Sequence, residues 1–226
     1  MSSHTSAAAP SAGQRGYAVV DLETTGLKPE ADRIIEIGVV LLDHTGRQES
    51  EWTTKVRQPL GRSIGAKDIH GLTWRSLRSG MSIEAALGHL SLLVHNRIMV
   101  AHNADFDTAF LRAESQRCGV ALPIEGPLCT LQMSRTIHSK DNGSHQLQHR
   151  FRDDLVGSSA TSRTSHKLGA VCERYGVPFS TSHRALADAQ ACASVLPHLL
   201  RDFGVVHAEP LLADDSPLAR ARRSVK

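Results

Sequence analysis

Cysteine is sparse in this chain. Its four cysteines, Cys118, Cys129, Cys172 and Cys192, are scattered with no C-x-x-C pair, which excludes a zinc ribbon and a disulfide framework. They are expected as reduced core residues in a cytoplasmic setting. No apolar run reaches membrane-spanning length, and the opening MSSHTSAAAPSAGQRG has neither a basic start nor a long apolar stretch; neither a membrane span nor a secretory leader is expected. That segment also holds a single arginine, Arg15, too few for a transit peptide. A strong excess of one charge is missing as well. The formal net charge of +3 permits a polyanionic partner but excludes the charge density of an architectural binder.

What is present is ordinary for a globular protein: 226 residues, 40% hydrophobic and 22% charged, enough to bury one sizeable core. We expect a disordered N-terminal tail over residues 1–15, one domain over 16–205 and a flexible C-terminal tail over 206–226. A stretch from Ser139 to Ser165, rich in Ser, Asp, Asn, His and Arg and without periodicity, is expected as an exposed insertion (139–165).

Three strands come first: residues 17–22, RIIEIGVVLLD (33–43) and ESEWTTKV (49–56), the last two joined by the turn residues HTGR. A loop over 57–73 leads to a helix capped by Ser82, with Ile83, Leu87, Leu90 and Val94 at helical spacing. RIMVAH (97–102) reads as a buried strand. FDTAFLRAESQRCG (106–119) reads as a helix burying Phe106, Ala109, Phe110 and Ala113 and stopped by Gly119. A fifth strand is expected around Leu128 to Thr130 and a helix through LQMSRTIH after it. Another helix carries Leu168, Val171, Cys172 and Tyr175 on one stripe, and a last one runs from about Arg184 to Phe203, kinked or divided by Pro197. Three strands able to pair antiparallel, then strand-helix alternation, give an α/β fold with a mixed sheet covered by helices.

Three short segments carry chemistry. In YAVVDLETTGL, Asp21 and Glu23 lie two residues apart on a strand, so their carboxylates share a face. With Cα atoms roughly 6 to 7 Å apart, they repel in a partly buried site unless a cation lies between them, and hard oxygen ligands suit Mg²⁺ or Mn²⁺. A solvated strand end accounts for the bare D-x-E pattern equally simply. The apolar strand before it, and the turn Thr24-Thr25-Gly26 after it, place the pair where open sheets build their sites and offer hydroxyls and N–H groups to an anion. In AHNADFDTAFL, Asp105 suits a helix cap, and Asp107 suits either a first-turn acid or a functional carboxylate. In HRALADAQACASVL, Asp188 falls on the apolar stripe of Cys192, Val195 and Leu199; a buried carboxylate there calls for a metal or a cationic partner. His183 stands at the entry to that helix.

Taken in order, VVDLETTGL, RIIEIG, IHGLT, VAHNADFD, HKL and HRALADA resemble the DEDDh 3′–5′ exonucleases, the family of the proofreading epsilon subunit of bacterial DNA polymerase III, over roughly residues 16–203. The resemblance implies a ribonuclease H-like fold, with a mixed five-stranded sheet and helices on both faces. It places the four acidic metal ligands at Asp21, Glu23, Asp107 and Asp188, the catalytic histidine at His183, and two divalent cations, Mg²⁺ or Mn²⁺, between them. It also implies that Thr24, Thr25, Gly26, Leu27, Ile69, His70 and Phe106 hold the terminal nucleotide, while His102 and Asn103 support their loop. Cys129 departs from the pattern, standing where many relatives carry aspartate.

The activity implied is release of 5′-mononucleotides from the 3′ end of DNA, single-stranded or mismatched. Asp21 would bridge both ions, and neutral His183 would take the proton of the attacking water, so the pH profile should lean alkaline. An exoribonuclease of the same fold is the alternative: at 4% aromatic residues, no stacking cluster selects one polymer over the other. A non-catalytic scaffold for a polymerase would be marked by loss of a ligand, and all five positions are filled. Partners expected are nucleic acid, DNA before RNA, and a DNA polymerase subunit.

Overall fold

The computed structural model describes residues 14–59, 61, 63–65, 67–138, 165–180, 183–214, 216 and 218, apart from the side chains of Asp68 and Ile69. The chain begins with β1 (Tyr17–Thr24), β2 (Ile34–Leu42) and β3 (Gln48–Lys55), paired antiparallel in succession. Two short helices, α1 (Lys67–His70) and α2 (Trp74–Leu77), precede α3 (Ile83–Val94). Then come β4 (Ile98–Ala101), α4 (Ala104–Cys118), β5 (Leu128–Cys129) and a helix, α5, over 130–138. The chain continues with α6 (Leu168–Arg174), α7 (Ala185–Asp202) and α8 (Glu209–Leu212). β4 and β5 add in parallel, giving the order β3-β2-β1-β4-β5. This is the mixed five-stranded sheet that the sequence implied.

The two-residue period of β1 sends its side chains to two different cores. Tyr17 and Val19 pack with α6 and α7 residues such as Val171, Cys192 and Val195. Ala18, Val20 and Leu22 pack with Leu87, Leu90, Phe110 and Leu111 from α3 and α4 on the other face. β1 is therefore buried on both sides, and only where it leaves the helices, at Asp21, Glu23 and Thr24, does it become partly exposed. Its pairing with β4 reaches only Val19, whereas its pairing with β2 continues to Thr24 through a bulge. The last residues of β1 thus project past β4, as bulged strands beside functional sites often do.

Two close fits hold α7 and α4 in place. Gly38 of β2 sits opposite Asp21, and a Cβ there would come within 2.3 to 2.4 Å of the backbone of Ala185 and Leu186; a bare backbone lets the start of α7 lie on the sheet. On α4, the buried Glu114 accepts two hydrogen bonds from Arg33, at 2.6 and 2.7 Å, which ties that helix to the entry of β2.

Several expectations need correction. Short helices interrupt the segment around 67–77, whose first part was expected as loop. The buried stripe of α4 is Asp107, Phe110, Leu111 and Glu114, with Phe106, Ala109 and Ala113 only partly covered. That helix starts at Ala104, with Asn103 as its left-handed cap residue, so Asp105 sits inside the first turn and does not cap. Pro197 does not divide α7, which runs unbroken over 18 residues; Pro197 is exposed, while Val195, Leu196, Leu199 and Leu200 around it are buried. The chain after residue 205 is not simply a tail: Ala208, Leu211 and Leu218 are buried in the α7 core, and the Ala208 N–H donates to the Tyr17 hydroxyl. At the other end, the Arg15 N–H donates to Glu209. Residues 1–13, and 139–164 of the expected insertion, lie outside the described residues.

Candidate active site

The end of β1 collects the acids. The two-residue period of β1 leaves Asp21 and Glu23 on the face toward α7, ahead of the bulge between Glu23 and Thr24, and Asp188 in the first turn of that helix comes down onto them. One carboxylate oxygen from each of Asp21, Glu23 and Asp188 lies within 4.8 Å of the others. Asp107, from the first turn of α4, approaches from the side that β4 leaves open and is 3% exposed. His183 stands at the rim with its side chain 52% exposed, its Nδ1 3.8 Å from Asp188 Oδ2. Its φ of 42° lies in the left-handed region, which few residues other than glycine adopt.

The electrostatics of this cluster are severe. Burial comes first and the Asp107, Asp188 and Glu23 charges follow in pushing Asp21 well above the usual carboxylate range. Burial and the Asp188 charge raise Glu23 to about 8, and burial raises Asp107 to about 8, its own amide and that of Leu22 drawing it partway back. Burial raises Asp188 too, with His183 opposing. Asp188 Oδ1 is buried without a hydrogen-bond partner among the described residues. A set of hard, crowded, desolvated oxygens with one left orphaned fits a small divalent cation, which would restore all of them to the ionised form. Asp21, Glu23 and Asp188 form the tight group, and Asp107 stands beside it.

Two residues that the sequence reading gave no role complete the design. Glu36 lies directly across from Glu23 in the β1–β2 register, a like-charge pair that destabilises a sheet on its own. Glu36 is 1% exposed and is gripped by Arg184, at 2.9 Å and 2.5 Å. It also accepts the Ala185 N–H at 3.2 Å, one of the free donors of the α7 N-terminus. Arg184 thus offsets an acid beside the metal cluster and pins the backbone between His183 and Asp188. A single acid inside the apolar run IIEIG was the available signal.

The residues expected at a terminal nucleotide are more scattered. The Thr24 hydroxyl donates to Gly26 O at 2.6 Å, and the Thr25 hydroxyl donates to Asp32 while accepting from the Arg33 N–H; both hydroxyls build the turn. Gly65, at φ 75°, lies against the Thr25 carbonyl with no room for a Cβ. His70 is buried, with Nδ1 accepting from Leu72 N–H and Nε2 facing Ile64 O, so it shapes the 64–72 loop. The Ile69 side chain lies outside the described residues. Leu27 is 82% exposed, and Phe106 is partly covered with its ring 4.9 Å from that of Phe110. His102 bonds Thr130 Oγ1 and the His166 carbonyl, the supporting part expected of it.

Comparison with known proteins agrees with this architecture. The family profile RNase_T, described as Exonuclease, matches residues 18–196. A Mycobacterium tuberculosis protein provisionally described as a bifunctional exonuclease/endonuclease is 30% identical over 194 residues, covering 83% of this chain and 27% of its own length. The PolC-type DNA polymerase III of Thermotoga petrophila is 33% identical over 79% of this chain and 11% of its own. The chain therefore spans about a quarter or less of these relatives. Among solved structures, E. coli Exonuclease I in complex with a dT13 oligonucleotide overlays with a TM-score of 0.65 at 16% identity, covering 84% of this chain and 42% of that one. Exonuclease X in complex with 5′ overhanging duplex DNA overlays at 0.55 and 22% identity, covering 83% and 93%. At these identities the overlays establish a shared fold.

Proposed function

This chain belongs to the RNase_T exonuclease family, and on that premise we propose that it is a metal-dependent 3′–5′ exonuclease releasing 5′-mononucleotides from DNA ends, preferring single-stranded or mismatched ones. The observation that carries the reading is the convergence of Asp21, Glu23 and Asp188 within 4.8 Å, with Asp107 beside them and His183 at the rim. Two divalent cations, Mg²⁺ or Mn²⁺, held by these four acids would supply Lewis-acid charge and an acidified water. Asp21, whose carboxylate feels the charges of Asp107, Asp188 and Glu23, would hold the cations together with those acids. The PolC-type relatives support a proofreading task beside a polymerase, and the DNA-bound neighbours support DNA as the polymer.

His183 acts as general base. With Nδ1 turned toward Asp188 Oδ2, its Nε2 is left to accept the proton of the attacking water, and its half-exposed ring can pass that proton to solvent. Arg184 and Glu36 hold the backbone that presents it. The turn built by Thr24 and Thr25 presents the chain around Gly26 to the end of the strand.

Digestion of 5′-labelled single-stranded DNA, mismatched duplex and RNA with Mg²⁺ or Mn²⁺ tests the proposal. Expected are a ladder shortening from the 3′ end, mononucleotide products, a stop on chelation, and loss of more than about a thousandfold in Asp21→Ala, since it removes a group on which the whole site depends. Equal activity of wild type and Asp21→Ala on every substrate would defeat it, and preference for RNA would replace DNA as the polymer.

A further inference from the structure

Beside the acidic cluster, at the same end of the sheet, lies a second depression of opposite character. A cavity of about 490 Å³ is lined by His102, Asn103, Leu131, Arg135, His166, Lys167 and Leu168. No described acidic side chain lines it. Arg135 and Lys167 are exposed, and neither has an ion-pair partner among the described residues. Both imidazoles are committed: His102 to Thr130 and the His166 carbonyl, His166 to the Ser134 hydroxyl. Burial, and further down the order the Arg135 charge, hold His102 at about 4, and burial with the His138 and Arg174 charges lowers His166. Both rings are therefore neutral near pH 7, and the positive charge of the cavity rests on Arg135 and Lys167.

Its place in the fold gives it a meaning. His102 and Asn103 follow β4, Leu131 follows β5, and Asn103 precedes the helix that carries Asp107. The cavity therefore sits over the carboxyl ends of β4 and β5, as the acids sit over the end of β1. Adjacent strands are about 4.8 Å apart, so the step from the acids is roughly 5 to 10 Å, the reach of one or two nucleotides. We propose that this cavity is a subsite for the backbone phosphate of the retained strand, one or two nucleotides from the cleaved bond, with Arg135 and Lys167 taking the phosphate and Leu131 and Leu168 forming an apolar floor. It rests on the nuclease reading of the acidic cluster. Two adjacent sites of opposite charge then have separate tasks: the acids recruit cations to the bond that breaks, and the cavity holds the strand that remains.

The test uses the full chain and two readouts. First, fluorescein-labelled dT12 is titrated by anisotropy in EDTA, where cleavage is stopped, across a range of salt. Arg135→Ser/Lys167→Ser is expected to weaken binding roughly tenfold and to flatten the slope of log K against log salt by about 0.7, the value for one phosphate neutralised on a single strand. Arg47→Ser, a charge removed from the β2–β3 turn at the far end of the sheet, should keep the wild-type slope. Second, with Mg²⁺ or Mn²⁺, the ratio of kcat/KM on dT12 to that on the dinucleotide should fall about tenfold in the double variant. Equal affinity and salt slope in wild type and double variant would overturn the subsite while leaving the nuclease reading standing. Failure of the wild type to cleave dT12 at all would defeat the nuclease reading, and the binding readout would still decide whether the cavity takes phosphate.

Discussion

Without a divalent cation, the protein should lose stability as the pH rises from 5 to 8. Asp107 is 3% exposed and its carboxyl is held at about 8 by burial. An unfolded aspartate ionises near pH 4. Between those values the folded protein keeps a proton that the unfolded chain has released, so the stability the proton secures is full below about pH 4 and is lost as pH climbs through about 8. The slope is about 1.4 kcal/mol per pH unit for one such group, hence about 3 kcal/mol between pH 5 and 7. Glu23 and Asp21 shift in the same direction, but the acids repel one another, so protonating one relieves the rest and the single-group figure is the one to expect. In a domain of this size it corresponds to about 6 to 12 °C in Tm.

His102 works the other way. Its folded value, about 4, lies below that of an unfolded histidine, so it adds stability as pH rises from about 4 to 6.5. The comparison must therefore be made between wild type and Asp107→Asn, which share His102. Melts followed by circular dichroism in EDTA should give a Tm that falls less steeply with pH in the variant. Adding Mg²⁺ or Mn²⁺ should raise the wild-type Tm strongly at pH 7.5 and little at pH 5, where protons occupy the carboxylates. Parallel pH slopes for wild type and Asp107→Asn in EDTA, or a cation effect equal at both pH values, would refute the account.

Three other outcomes follow from the site. Arg184→Ala strands Glu36 as a buried unpaired charge and should cost about 3 to 5 kcal/mol in urea unfolding; adding Glu36→Gln should recover most of that stability but not the lost kcat. Gly38→Ala drives a methyl into the Ala185 backbone, for which 2.3 Å leaves no room, so the variant should lose about 1 to 3 kcal/mol and bind Mn²⁺ more weakly, as Asp188 moves with the helix. His183→Ala should lower kcat about 10² to 10⁴-fold and keep dT12 affinity in EDTA within about twofold.

The parts of this protein that obey a simple period were legible in its sequence. β1 alternates between two cores, so Asp21 and Glu23 had to share a face; α7 buries Cys192, Val195 and Leu199, so the stripe led back to Asp188. Ser82 capped α3 because its side chain accepts the Ala85 N–H. Pro197 does not divide α7, because a proline costs one hydrogen bond whereas the buried residues on either side of it hold the helix to the sheet. The four-residue α8 was too short to have a period.

The deeper failure concerns charge, and α4 shows why. Reading apolar residues as the buried ones selected Phe106, Ala109, Phe110 and Ala113; the face actually buried is one residue on, a rotation of about 100°, and includes Asp107 and Glu114. Each of those carboxylates has its own reason to be inside: Glu114 is paired with Arg33, while Asp107 stands beside the candidate metal cluster. The same holds on β2, where Glu36 is covered because Arg184 reaches it. A hydrophobic stripe locates a buried face only when its polar members lack partners elsewhere in the chain, and those partners lie 81 residues away for Glu114 and 148 for Glu36. The charges that position this site were therefore invisible locally, whereas the acids on β1 and α7 stood out as candidates because a carboxylate among apolar neighbours calls for a metal or a cationic partner.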